Sequence, residues 1–197
     1  MSSPEMRSGR AGLGGVLLAA GSGRRLGQPK QLLKTGGQPL VERAARHLRQ
    51  LCDADVVVVT GAYAEPVTRC LQALDVTLVH NPDWRLGLGS SLARGLDACA
   101  ADAALIMVCD QSLLETTDLL RLIDAWSGDT QQPAAASYAN VLGVPAIIPR
   151  KWFGSLGALD GDSGARGFLR NHQDIVIRVP MPNAATDIDQ PRDLETD

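Results

Sequence analysis

Residues 21–30, GSGRRLGQPK, bring three glycines, two arginines, a proline and a lysine into one short stretch. Gly21, Gly23 and Gly27 let backbone amides approach a ligand closely, while Arg24, Arg25 and Lys30 put positive charge around the same concavity. Amides and cations together suit a polyphosphate, held by charge-assisted hydrogen bonds and a nest of N–H groups. The competing reading is a solvated loop with incidental charges. Two well-known phosphate loops do not fit. GRRLGQPK does not supply the GxxxxGK[ST] of a Walker loop. A dinucleotide fingerprint needs GxGxxG opening a helix and an acid near the end of the second strand. Here the glycines fall as GxGxxxG, Pro29 interrupts the segment and the second strand ends in Thr60, which leaves an oxidoreductase as a runner-up.

The elements that must hold this loop are written as an alternation. GVLLAA, DVVVVT, VTLVHN and ALIMVCD are continuous apolar runs of strand length, the pattern of strands buried on both faces and hence paired in parallel. PLVERAARHLRQL repeats apolar residues at Leu40, Ala44, Leu48 and Leu51, and TTDLLRLIDAW at Leu119, Leu122, Ile123 and Trp126, both at helical spacing. Pro39 suits a first helical turn, and Thr116 or Thr117 can cap the second helix. After Ser127 the pattern loosens: SGDTQQP reads as a loop, AAASYAN, VPAIIP and DIVIRVP as strands, and SGARGFLRNH as a short helix. Strands and crossover helices in this order predict a doubly wound sheet whose ligand site lies at the carboxyl ends of the strands. The 21–30 loop comes directly after the first strand and therefore occupies that edge, where loops carry function.

Composition bounds the rest. A chain of 197 residues with 45% hydrophobic and 21% charged residues is that of a globular α/β protein. We expect one domain over 13–197 behind a disordered extension, 1–12. A net charge of −3 argues against a nucleic-acid partner, which asks for a basic face. No stretch approaches the ~20 apolar residues of a membrane span, and the first residues lack the apolar core of a signal peptide, so no membrane association and a cytoplasmic location are expected. Cys52, Cys70, Cys99 and Cys109 show no CxxC or ligand spacing and read as reduced and buried. His47, His80 and His172 have no ligand spacing either and read as structural. Trp84, in NPDWRLG, either packs beside a ligand or closes a turn; the second is preferred.

LAAGSGRRLGQPK resembles the LAAGxGxRxGxxK signature of the MobA-like nucleotidyltransferases, the group that contains molybdenum cofactor cytidylyltransferase, to which the likeness is nearest. NPDWRLGLGSSLARGL, VCDQSLL, GDSGAR and DIDQPRDL resemble further family segments in the same order, so the resemblance runs from Gly15 to Leu194. It implies a three-layer α/β/α sandwich with a mostly parallel, Rossmann-like sheet of the nucleotide-diphospho-sugar transferase type. It also implies a reaction in which an acceptor phosphate oxygen attacks the α-phosphorus of a nucleoside triphosphate and pyrophosphate leaves. That chemistry is chiefly electrostatic and asks for cations, amides and a divalent metal.

Carried onto this chain, the resemblance assigns Arg25 and Lys30 to the β- and γ-phosphates and the leaving group. Leu18, Ala19, Ala20, Gly21, Gly23 and Ser91 are assigned to nucleotide binding. Magnesium takes one or two carboxylates and completes its shell with phosphate oxygens and water. Asp110, at the end of ALIMVCD, is the first choice of ligand, although an aspartate there can equally cap a turn or helix. If Ile188 points into the core, Asp187 and Asp189 both face away from it; Asp189 is the preferred second ligand. Pro191 and Asp193 suit the start of a terminal helix. Ser90 and Ser91 can also cap a helix whose amides point at the ligand. LAAG, rather than the LAGG of guanylyl-transferring relatives, favours CTP.

Arg166, in GDSGAR, is the candidate for an acceptor phosphate, with a surface salt bridge as its plain alternative. Ser112 stands where relatives commonly have proline, and Val144 where the molybdenum cofactor enzymes often have a polar residue; both departures bear on the acceptor. The resulting expectation is a Mg2+-dependent cytidylyltransferase whose acceptor is molybdopterin-bound molybdenum, with a molybdoenzyme as a possible recipient protein. The alternatives are transfer of another nucleotide to a sugar or alcohol phosphate, and a non-catalytic nucleotide-binding accessory protein.

Overall fold

The computed structural model describes residues 12–23, 28–157 and 164–186. β1 (Leu13–Ala19) is followed by a small hairpin, β2 (Lys34–Thr35) and β3 (Gln38–Pro39), and by α1 (Leu40–Leu51). Next come β4 (Val56–Thr60), α2 (Ala64–Leu71), β5 (Thr77–His80), α3 (Leu88–Ala98) and β6 (Ala103–Val108). The remainder is α4 (Thr116–Trp126), β7 (Ala134–Tyr138), β8 (Val141–Pro149), α5 (Phe153–Gly157), α6 (Gly164–Asn171) and β9 (Ile177–Pro180).

The central sheet has the order β5-β4-β1-β6-β8-β7-β9. The four apolar runs of the first half pair in parallel, with Leu17 opposite Val58 on one side and Met107 on the other. Alternate residues of these strands feed two separate cores. Leu17, Val58 and Leu105 pack with α1, α2 and α4, whereas Val16, Val59 and Ile106 pack with α3, α5 and α6. Burial on both faces explains why β1, β4 and β6 are uniformly apolar rather than alternating; β5, expected to be buried in the same way, is the exposed edge strand, because among the described residues nothing pairs with its outer side. The result is the expected α/β/α sandwich.

The structure decides the direction of β8, which the sequence leaves open, and corrects several local expectations. β8 runs antiparallel to both β6 and β7. The cause is the two-residue link Ala139–Asn140, both with positive φ (47° and 62°), which makes a tight hairpin and leaves no room for a crossover. α2 escaped the sequence reading because Pro66 falls inside it, but only in the first turn, where a missing N–H costs nothing. Pro39 precedes α1 as its N-cap instead of sitting within the first turn. Glu115, not Thr116 or Thr117, caps α4, through a capping box in which the Asp118 carboxylate accepts the Glu115 N–H at 3.1 Å. Two donors are satisfied at once that way, more than a lone threonine hydroxyl achieves. Burial opposes the charge of Asp118, but hydrogen bonds from Asn183, the Glu115 backbone and Arg121 outweigh it and hold the carboxyl below its usual range. All four cysteines are free; Cys52, Cys99 and Cys109 are buried, while Cys70 is only half-buried. Among the described residues no helix is long and apolar enough to cross a membrane.

Candidate active site

The chain runs from β1 outward to β5 and then returns to the other side of β1 with β6, so the sheet's switch point lies between β1 and β6. A cavity of about 400 Å³ opens there, at the carboxyl ends of those two strands. Leu18, Ala20, Gly21, Ser22 and Gly23 form one wall, and Val108, Cys109 and Asp110 another. Gly23 has φ +58°, and a Cβ there would meet the Gln28 carbonyl at 2.6 Å, so only glycine serves. Gly21 differs. A Cβ there would meet nothing within 4 Å, so no internal contact demands glycine, and a side chain would take up cavity space.

Lys30 sits on a single 3-10 turn, Lys30–Leu32, introduced by Pro29 at φ −66°. Its Nζ lies 3.4 Å from Asp110 Oδ2, with the two side chains 17% and 24% exposed. The loop cation and the strand-end carboxylate, separated by 80 residues in the chain, therefore meet at one cavity. Asp110 stands two residues past the end of β6, and its own carbonyl accepts the Ser112 N–H at 3.1 Å. The chain beyond it is anchored from two sides. Arg43 donates to the carbonyls of Ser112 and Leu114. Buried Gln111 donates to the carbonyls of Val144, at 2.9 Å, and Ala184, at 2.7 Å.

Three buried amides build this site, and none was singled out in the sequence. Gln31, 3% exposed, donates from Nε2 to the carbonyls of Ala19 and Gly21 at 3.0 and 2.6 Å, fastening the loop to the end of its strand. Asn81, wholly buried, donates from Nδ2 to the hydroxyls of Ser90 and Ser91, both at 3.0 Å. Gln111 is the third. Only their places inside the NPDW and CDQ segments and beside Lys30 could have flagged them, since glutamine and asparagine are ordinarily surface residues.

Ser91 lines the cavity, and its hydroxyl is held by Asn81. Neither Ser90 nor Ser91 is the N-cap of α3; Gly87 holds that place and the helix begins at Leu88, ahead of both. Ala19 contributes its carbonyl to Gln31 and is not part of the cavity wall. Trp84, read as a turn residue, lies on a 3-10 turn and lines the cavity as well. Arg85 is a further cation of this wall, its guanidinium 4.4 Å from the Trp84 ring centroid. Arg166 lines a different cavity, against α6. Arg24, Arg25, Asp187, Asp189, Pro191 and Asp193 lie outside the described residues.

Burial and the neighbouring Asp110 charge push the Cys109 thiol well above its ordinary range, which disfavours the thiolate. Burial and the Arg43 charge lower the pKa of His47, which lies in a small cleft behind the site and not in the cavity. Among the described residues no group of three or more His, Cys, Asp or Glu could cage a metal ion. The cavity's donor set still fits magnesium. One described carboxylate, Asp110, faces it, and such an ion needs no more than one or two protein carboxylates when phosphate oxygens supply the rest.

Gln31→Leu keeps the bulk but removes the donor to two carbonyls. We expect a loss of about 1–3 kcal/mol in stability, measured by urea unfolding, and weaker nucleotide binding because the loop is no longer fastened.

A family model described as the MobA-like NTP transferase domain matches residues 15–176. The chain is 36% identical over 181 residues to the nicotine blue oxidoreductase of Paenarthrobacter nicotinovorans, covering 87% of this chain and 88% of that protein. It is also similar to the crystal structure of the Rv0371c homologue from Mycobacterium sp. strain JC1, with TM-score 0.78, 31% identity and 93% of each chain covered. Rv0371c of Mycobacterium tuberculosis H37Rv, in complex with manganese, superimposes with TM-score 0.77 at 25% identity, over 94% of this chain and 100% of that one.

Proposed function

Because the chain belongs to the MobA-like NTP transferase family, we propose that it transfers CMP from CTP to a phosphorylated small-molecule acceptor, molybdopterin-bound molybdenum, and releases pyrophosphate. The observation that carries this reading is the Lys30–Asp110 pair at the edge of a glycine-walled cavity on the switch point of the sheet. In this reading the protein works in the cytoplasm as a single domain over 13–197, and a molybdoenzyme receives the product.

The amides of Gly21–Gly23 and the Arg25 guanidinium hold the triphosphate, while Ala20 and Ser91 border the nucleoside. An acceptor phosphate oxygen attacks the α-phosphorus, and the bond to the pyrophosphate oxygen breaks with its electron pair. Lys30 neutralises the charge gathering on that leaving group. Asp110 and Asp189 would hold a divalent ion; the manganese complex of the related Rv0371c supports one, and magnesium is the proposed ion here. Such an ion adds positive charge beside the phosphate oxygens. Asp110 also orients the Lys30 ammonium.

CTP with magnesium is expected to stabilise the fold more than GTP does. Saturation at about 100 times the dissociation constant adds about 2.7 kcal/mol. At roughly 2–4 °C per kcal/mol for a chain of this size, Tm rises by about 5–11 °C. Equal or larger shifts with GTP would overturn the cytidylyl assignment. Pyrophosphate release separates an enzyme from a nucleotide-binding accessory protein.

A second reading, redox chemistry, is favoured by the relative named as an oxidoreductase. It fits the described loop less well, because among the described residues the first α-helix after β1 begins at Leu40, whereas a dinucleotide fingerprint opens its helix within the glycine motif. NADPH oxidation without any CTP response would favour that reading.

A further inference from the structure

Away from the nucleotide cavity, α6 and the β7–β8–β9 end of the sheet enclose a second cavity of about 390 Å³. Arg166, Arg170 and Arg178 line it together with Gln173 and Asn140, and among the described residues no acidic one does. We propose that this cavity is a second binding site, for a small molecule carrying a phosphate or carboxylate group, separate from the nucleotide cavity.

Three elements converge to make it. Arg166 and Arg170 are four residues apart on α6 and so share one face of the helix. Arg178 comes from β9, where it pairs in register with Ala135. Ala135 and Val176 are buried in the core that α6 covers with Phe168 and Leu169, so the Arg178 side chain stands on the α6 side of the sheet. Its Nη2 donates to the backbone and side-chain oxygens of Gln173, both at a long 3.4 Å. Val141 and Leu142, from the hairpin between β7 and β8, give the cavity an apolar wall.

Such a set of arginines is out of keeping with a chain of net charge −3. Guanidinium groups present rigid, paired donors that match the geometry of phosphate and carboxylate oxygens. An oxyanion with an apolar body satisfies both the arginines and the Val141–Leu142 wall. α6, which carries two of these arginines, also approaches the first cavity at its amino end. A Cβ on Gly164, the first residue of α6, would stand 3.1 Å from the Leu88 side chain, which lines the nucleotide cavity. A role as the holding point for an anionic group of the acceptor, remote from its reacting phosphate, rests on the transferase reading above; anion binding itself does not.

Inorganic phosphate, and separately succinate, are titrated into the protein with CTP present to fill the first cavity, while the arginine Nε–Hε signals are tracked by NMR. The Arg170 and Arg178 signals are expected to move along one saturable curve. The tighter of the two anions identifies the preferred group, phosphoryl or carboxylate. In an Arg170→Gln, Arg178→Gln double variant, the Arg166 signal should report binding weakened about tenfold or more. Both arginines are exposed, and an unchanged CTP-induced rise in Tm shows that fold and nucleotide cavity survive the substitutions. No saturable shift with either anion, or an unaltered Arg166 curve in the double variant, overturns the proposal. Absence of any CTP response in the wild-type protein would count against the transferase reading instead, and leaves the phosphate curve interpretable.

Discussion

Asp110→Asn should fold normally and release pyrophosphate, from CTP and acceptor, at least about a hundredfold more slowly. Folding survives because the turn after β6 is held by backbone and by neighbours. The Asp110 carbonyl takes the Ser112 N–H, and Arg43 and Gln111 anchor the segment beyond it. None of these bonds uses the Asp110 carboxylate, whose partner is Lys30. The capping role that competes with metal binding therefore predicts a small loss of stability, and the functional role predicts a large loss of rate. Asparagine keeps the size while removing the charge that a divalent ion and an ammonium both require. A hundredfold is the scale on which losing one electrostatic element of such a site is felt. Thermal unfolding and a pyrophosphate assay on the same preparation decide it: a folded variant with near-normal turnover would remove Asp110 from the chemistry.

Lys30→Ala should mainly lower kcat, whereas Arg25→Ala should mainly raise the apparent KM for CTP. An interaction that strengthens in the transition state costs rate when removed, and uniform binding costs affinity. Geometry prepares Lys30 for the first of these roles: it is largely withdrawn from solvent, oriented by Asp110, and placed beside the glycine wall. A loss of about 10²–10³ in kcat is expected, the range for removing one preorganised charge partner. Saturating CTP is the decisive condition. If it restores full turnover to the Lys30 variant, the lysine binds ground state and transition state alike. Removing Lys30 also takes from the Asp110 carboxylate its ammonium partner, so Lys30→Arg serves as the control that keeps the charge.

Much of this architecture is legible in one dimension because burial leaves a local signature. A strand covered on both faces must be apolar at every position, so VLLA, VVVV and ALIMV declare β1, β4 and β6, and the helices between them declare their parallel pairing. The glycine and cation loop is legible for a similar reason, since Gly23 and Lys30 fall within one short segment whose residue types suit phosphate. Asp110 stands out because it ends an apolar run.

The meeting of Lys30 with Asp110 was decided only in three dimensions, by the register that sets β1 beside β6 and brings their carboxyl ends to one edge. The direction of β8 was likewise undecided, because it depends on whether Ala139 and Asn140 adopt positive φ, which alanine does not advertise. Gln31, Asn81 and Gln111 are buried for the sake of carbonyls and hydroxyls contributed by other segments. Nothing local distinguishes them from amides on a surface. Arg166 reads in sequence as a neighbour of the reacting centre, and only α6 and β9 place it with Arg170 and Arg178 in a separate cavity. Composition and periodicity thus determined which segments are strands, which are helices and which loop suits phosphate, because those properties arise from each segment's own contact with water or core. Which polar groups face one another was left to the tertiary structure, because a hydrogen bond or ion pair is a property of two segments, and only sheet order and register bring the second to the first.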